Sequence, residues 1–154
     1  MKAFLKRLLV GTPARTIEHP IFGRATLVET KSGAYWEAEP ELNGEAIGVG
    51  IDTASGEEPT TEQVRFYREI TRDLTAAFAR AAPAIEDRYR EWEGKPLPPD
   101  WRAVFKFAGL SIPVNGDDKL SWDIAFDCLA GRADGHMFTC YFENGSPVGV
   151  SVDG

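Results

Sequence analysis

The sequence predicts an α+β fold: a twisted antiparallel sheet of about six or seven strands, with a long helix and a short second helix packed on one face. Three observations predict it. Runs alternating apolar and polar residues occupy positions 24 to 51 and again 102 to 152. Between them, residues 60 to 93 repeat apolar side chains at helical spacing. Asn-Gly pairs at 43–44 and 144–145 sit between alternating runs, as hairpin turns require. The order reads strands, helices, strands, and 154 residues with 43% apolar and 27% charged residues suit a single domain spanning 1–154.

The elements follow in order. The first fifteen residues include "MKAFLKRLLVG", with Lys2, Lys6 and Arg7 set around Phe4, Leu5, Leu8 and Leu9. Lys6 and Arg7 interrupt the apolar stretch of about 7 to 15 residues that a secretory signal needs. The segment reads as a short amphipathic helix that docks on its own domain, with contact to a membrane surface as the alternative. "RATLVE", residues 24 to 29, predicts the first strand. "AYWEAEP" puts Ala34, Trp36 and Ala38 on one side and Tyr35, Glu37 and Glu39 on the other. After "ELNGE", "AIGVGID" aligns Ile47, Val49 and Ile51 on one face, completing a hairpin.

Thr60 and Gln63 form a capping-box pattern that opens the long helix. Phe66, Ile70, Leu74, Ala77, Phe78 and Ala81 make its apolar stripe. Pro83 is expected to interrupt it and to open a short second helix carrying Ile85, Tyr89 and Trp92 to Gly94. "KPLPP" is a stiff connector.

"RAVFKFAG" and "LSWDIAFD" predict strands. The latter turns Leu120, Trp122, Ile124 and Phe126 inward and Ser121, Asp123 and Asp127 outward. "MFTCYFE" and "PVGVSV" predict a last hairpin. A two-residue Asn144-Gly145 turn would pair Val148 with Tyr141 and Val150 with Thr139, beside the polar face. A three-residue loop, Glu143-Asn144-Gly145, would instead bring Val148, Val150 and Val152 onto the side of Phe138, Cys140 and Phe142. That loop is the expectation, with Gly145 at positive φ.

The chemistry is sparse. The net charge of −7 and a pI near 4.9 argue against a nucleic-acid partner, which needs a basic surface. No run is long and apolar enough for a transmembrane helix, so no integral membrane association is expected. Cys128 and Cys140 are too few for a disulfide framework and would be free thiols in a reducing cytosol. Their spacing from His136 lacks the paired ligands of a structural zinc site, and their inward parity makes them core residues. No metal and no cofactor are expected. Asp123 and Asp127 lie roughly 13 Å apart along one strand, too far for a glycosidase pair.

The face opposite the core draws the remaining interest. Tyr35, Glu37 and Glu39 share it on one strand, Asp123 and Asp127 on another, and Tyr141 and Glu143 on a third. Aromatic groups among carboxylates can anchor and steer a basic protein partner.

"EHPIFG", "YWEAE", "GVGIDTASGEEPTTEQ" and "HMFTCYFENGSPVGVSVDG" give the chain a resemblance to a diffuse set of small bacterial α+β proteins of unassigned activity. Some similar proteins are immunity proteins that bind and block a toxin. The resemblance implies a cytoplasmic, non-enzymatic binding module and brings no catalytic residues. The alternative is a small-molecule or enzymatic site in a cleft between the sheet and the 95–101 connector.

Overall fold

The computed structural model describes residues 15 to 154; the basic amphipathic segment read from the sequence lies almost wholly outside them. Six strands come first: β1 (Thr16–His19), β2 (Gly23–Thr30), β3 (Gly33–Ala38), β4 (Glu41–Leu42), β5 (Glu45–Ala46) and β6 (Gly48–Thr53). Helices α1 (Thr61–Arg72) and α2 (Leu74–Glu93) follow, then β7 (Phe105–Ile112), β8 (Trp122–Cys128), β9 (Met137–Glu143) and β10 (Ser146–Asp153). Eight strands form one sheet in the order β1-β2-β3-β6-β7-β8-β9-β10, and β4 and β5 form a small separate hairpin. The sheet is therefore larger than the six or seven strands expected. The unforeseen member is β1, four residues too short to show an alternation of their own.

One pairing departs from an antiparallel sheet. β6 and β7 run parallel, with Gly48 opposite Gly109 and Ile51 opposite Ile112. The two helices lie between them in sequence. A helical connection can carry the chain back to the end of the sheet at which β6 began, which is how parallel neighbours are joined.

The helices also divide differently from the expectation. The short helix comes first and the long one second, and the break falls at Asp73, not at Pro83. Asp73 leaves helical geometry at φ −140°, and its carboxylate accepts a 3.0 Å bond from the Ala76 amide, capping α2. Pro83 stays inside α2. It and Ala79 are exposed, so the Ala79 carbonyl that loses its partner to the proline ring faces water and need not be satisfied by protein. Gly94, in the left-handed region at φ 71°, ends the helix as read from the sequence.

The capping box at Thr60 and Gln63 is present, and Gln63 does more than cap. Its side-chain amide donates to the Asp52 carbonyl at 2.7 Å and to the Pro113 carbonyl at 3.1 Å. The start of α1 is thereby tied to the ends of both parallel strands.

Both helices cover one face of the sheet. Phe66 meets Trp122 edge-on, Phe78 stacks on Trp101 and meets Phe126, and Tyr89 meets Phe105. Trp36, Trp122, Phe126, Phe138 and Phe142 are all buried there, as expected. Leu120 is not: it precedes β8, in the turn before the strand, and is 46% exposed.

The last hairpin reaches its parity by another route than a three-residue loop. Asn144 (φ 51°) and Gly145 (φ 77°) form a two-residue turn with both residues left-handed. Ser146 pairs with Glu143 and Pro147 with Phe142, and the register then skips to Gly149 opposite Tyr141. Val148 is the extra residue of a β-bulge. It points outward at 57% exposure, while Val150 and Val152 return beside Cys140 and Phe138. The bulge supplies the one-residue shift that the longer loop was expected to supply.

Cys128 and Cys140 are free thiols buried in the core. Burial pushes both up, Cys140 to about 12 with a smaller contribution from the charge of Asp123. Native protein at pH 8 is expected to leave both unlabelled by a thiol reagent over hours, with two equivalents taken up on denaturation. Rapid reaction of either native thiol would place it outside the core.

Candidate site on the open face of the sheet

Successive strands carry one row of residues across the face away from the helices. Thr26 stands opposite Glu37, Glu37 opposite Gly50, and Gly50 opposite Ser111. The Ser111 hydroxyl accepts a 2.8 Å bond from the Asp123 amide, and Asp123 stands opposite Tyr141. Tyr35 is paired with Asp52 one step along. Directly opposed residues point to the same side of a sheet, so these side chains share one surface.

The surface is a groove enclosing about 670 Å³. Its floor is made of small residues, Gly50, Ser111, Ala125 and Thr139, between Tyr35 on one side and Tyr141 on the other. The Tyr141 hydroxyl is 3.0 Å from Ser151 Oγ, which holds the ring against β10. Four carboxylates line the groove, Asp52, Asp123, Glu143 and Asp153, and no Lys or Arg does among the described residues.

The seven residues placed on this face from the sequence are distributed unevenly. Tyr35, Asp123, Tyr141 and Glu143 line the groove together. Asp127 is on the same face of β8 but four residues beyond Asp123, opposite Met137. Glu39 lies past the end of β3, exposed, and lines a separate hollow with Arg24 and Glu41. Glu37 corrects the expectation most: it is only 5% exposed, although it points away from the helices. It lies on β3 between β2 and β6, opposite Thr26 and Gly50.

Asp52 was not singled out. The alternation in "GVGID" sets it opposite in direction to Val49 and Ile51, but its place beside Tyr35 follows from strand pairing. Burial pushes its carboxyl up to about 6, and the charge of Asp123 adds to the shift. In the unfolded chain it would titrate near 3.9, so the folded state holds the proton more tightly. The resulting stabilisation is complete below about pH 4 and is lost as pH rises through 6. Asp52→Asn is therefore expected to match the parent at pH 4 and to be more stable by about 1 kcal/mol at pH 7.5, after discounting for solvent reaching a half-buried group. Urea midpoints across that range check it, and a difference independent of pH would contradict the assigned environment.

The loops that carry Glu57, His19 and His136 are held by internal bonds. Glu57 in "TASGEEP" accepts from the Thr53 hydroxyl and from the Ser55 amide and hydroxyl at 2.7 to 2.8 Å. Those bonds hold its carboxyl down to about 2. His19 Nδ1 accepts from the Ile21 and Phe22 amides, closing the "HPIF" turn. His136 closes "GRADGH" through its backbone, with its ring against Trp92. Among the described residues no three His, Cys, Asp or Glu side chains converge as a metal site would require. By the connector, a hollow of about 330 Å³ is lined by Leu42, Leu74, Trp101 and Phe105. Its Lys106 is paired with Glu45.

Comparison with protein-family models, curated proteins and solved structures finds no match. Among the described residues no helix is long and apolar enough to cross a membrane.

Proposed function

We propose that the protein is a non-enzymatic binding module that takes a basic segment of another protein into the groove on its open face. The observation that carries this reading is the lining: four carboxylates and two tyrosines around a floor of small residues, with no cation among the described lining residues. Small floor residues let a partner's backbone approach the sheet. The tyrosines offer rigid amphipathic contact, and the carboxylates attract and orient positive charge. An immunity-like role, in which a basic toxin surface is blocked, is one form this function takes. The groove also contains a carboxyl titrating near 6 beside a second carboxylate, a pattern that acid–base catalysis uses. No His, Lys or Cys completes such a site among its described lining residues, so binding is the better supported reading.

The test uses a partner recovered by capture from the native host. Asp123→Lys combined with Glu143→Lys is expected to fold, because Asp123 is half-buried and Glu143 exposed. Association of the double variant is expected to slow about tenfold at low ionic strength, with the difference shrinking as salt rises. Equal rates for parent and variant across salt would remove the groove as the binding surface.

A further inference from the structure

Four stretches of chain meet around the hollow of about 330 Å³ beside the connector. Leu42 comes from the β4–β5 hairpin, which stands outside the eight-stranded sheet. Leu74 is the first residue of α2. Trp101 and Arg102 belong to the short turn Trp101–Ala103 that leads into β7. Leu129 follows β8, and its amide donates to the Val104 carbonyl at 2.8 Å. Leu42 and Leu74 are half-buried, and Leu129 is 48% exposed. Three leucines from distant parts of the chain thus line one concavity and leave apolar surface in water.

Charge at the rim is not balanced. Lys106 is paired with Glu45, so its charge is cancelled locally. Arg102 has no carboxylate ion-paired with it among the described residues. The Asp100 carboxylate is turned to the backbone, where it accepts from the Arg102 amide at 3.2 Å. The Arg102 guanidinium lies over the Trp101 ring, 4.5 Å from its centroid, and Nη1 donates to the Thr75 hydroxyl at 2.7 Å. These two contacts hold the planar fork at the hollow while the exposed side chain keeps further N–H groups to donate.

We infer that this hollow binds a small apolar carboxylate, with the acid on the Arg102 guanidinium and the body against Leu42, Leu74 and Leu129. A guanidinium fork matches a carboxylate through two parallel bonds. One uncompensated cation suits a singly charged acid, where a phosphate dianion would call for more donors. The volume lies at the small end of ligand sites, roughly 300 to 1,000 Å³, so the apolar body is of one or two rings. Such binding is independent of the groove, with which the hollow shares no lining residue.

Naphthoate and naphthamide are the probes, since they carry the same rings with and without the charge. In the full chain, naphthoate is expected to shift the methyl signals of Leu42, Leu74 and Leu129 saturably, with a Kd of about 1 mM or below. The amide signals of Gly50 and Tyr141, in the groove, are expected to stay in place. Naphthamide is expected to bind about fivefold more weakly. Arg102→Gln is expected to bring naphthoate down to the affinity of naphthamide. Lys106→Gln is expected to leave naphthoate binding within about twofold of the parent. Absence of a saturable shift at the leucines, shifts centred on the groove, or equal binding of acid and amide would each overturn the assignment. So would an Arg102→Gln protein that keeps the parent's preference for the acid. The comparison of acid with amide needs only the parent protein, so it decides the matter even where Arg102→Gln loosens the packing of Trp101.

Discussion

Gly109→Ala is expected to abolish cooperative folding or to lower stability by about 3 kcal/mol or more, at the overpacking extreme for a single methyl group. Gly109 faces Gly48 across the parallel β6–β7 pair. A Cβ at Gly109 would lie 2.0 Å from the Gly48 carbonyl oxygen and 2.9 Å from its carbon. Backbone on both sides leaves no flexible side chain to move aside. The strands would have to separate at the pairing that joins the first half of the sheet to the second. Gly149→Ala is the matched control: nothing lies within 4 Å of a Cβ there, so the change is expected to stay within about 0.5 kcal/mol. Urea unfolding of both variants checks the pair. A Gly109→Ala protein with the parent's midpoint would show that the two strands do not approach as described.

A chain stopped after Ser146 is expected to lose its cooperative melt or to aggregate. The cut removes β10 almost entirely. Val150 and Val152, half-buried against the core, contribute about 1 kcal/mol each at half the burial of a core valine. The ladder from Pro147 to Asp153 is lost with them, at about 1 kcal/mol for each hydrogen bond. The removed part is thus several kcal/mol of a total stability of about 5 to 15 kcal/mol. The cut would also turn β9 into an unpaired edge and uncover Phe138 and Cys140, which are fully buried in the parent. A far-ultraviolet melting curve unchanged by the truncation would show β10 to be peripheral. Val148 contributes little to this loss, since the bulge already holds it in water.

Much of the fold was legible because it depends on local rules. The alternation in "AYWEAEP" and "AIGVGID" located β3 and β6 and the correct inward residues. Thr60 and Gln63 marked the helix start, and Gly94 its end. Other features follow a contest that composition does not reveal. At Asp73 and Pro83 two residues competed to end one helix. The aspartate won because its side chain could cap the next turn, and the proline was tolerated because its helix face is solvated. In the last hairpin two routes to the same parity were open, and the backbone took a tight turn with a bulge over a longer loop.

The candidate site divides along the same line. Tyr35, Asp123 and Tyr141 could be named from alternation, because a period of two assigns each residue to a face. Alternation does not say which strands are neighbours, so it could neither bring Asp52 into the group nor separate Glu39 and Asp127 from the groove. Nor could it show Glu37 as buried. The sequence by itself determined the α+β class, the composition of the core and the acidic, aromatic character of the open face, since these rest on residue type and short-range period. Tertiary structure alone decided the parallel β6–β7 junction, the burial of Glu37 and the meeting of Asp52 with Asp123, because each depends on strand order and on which distant parts of the chain are brought together.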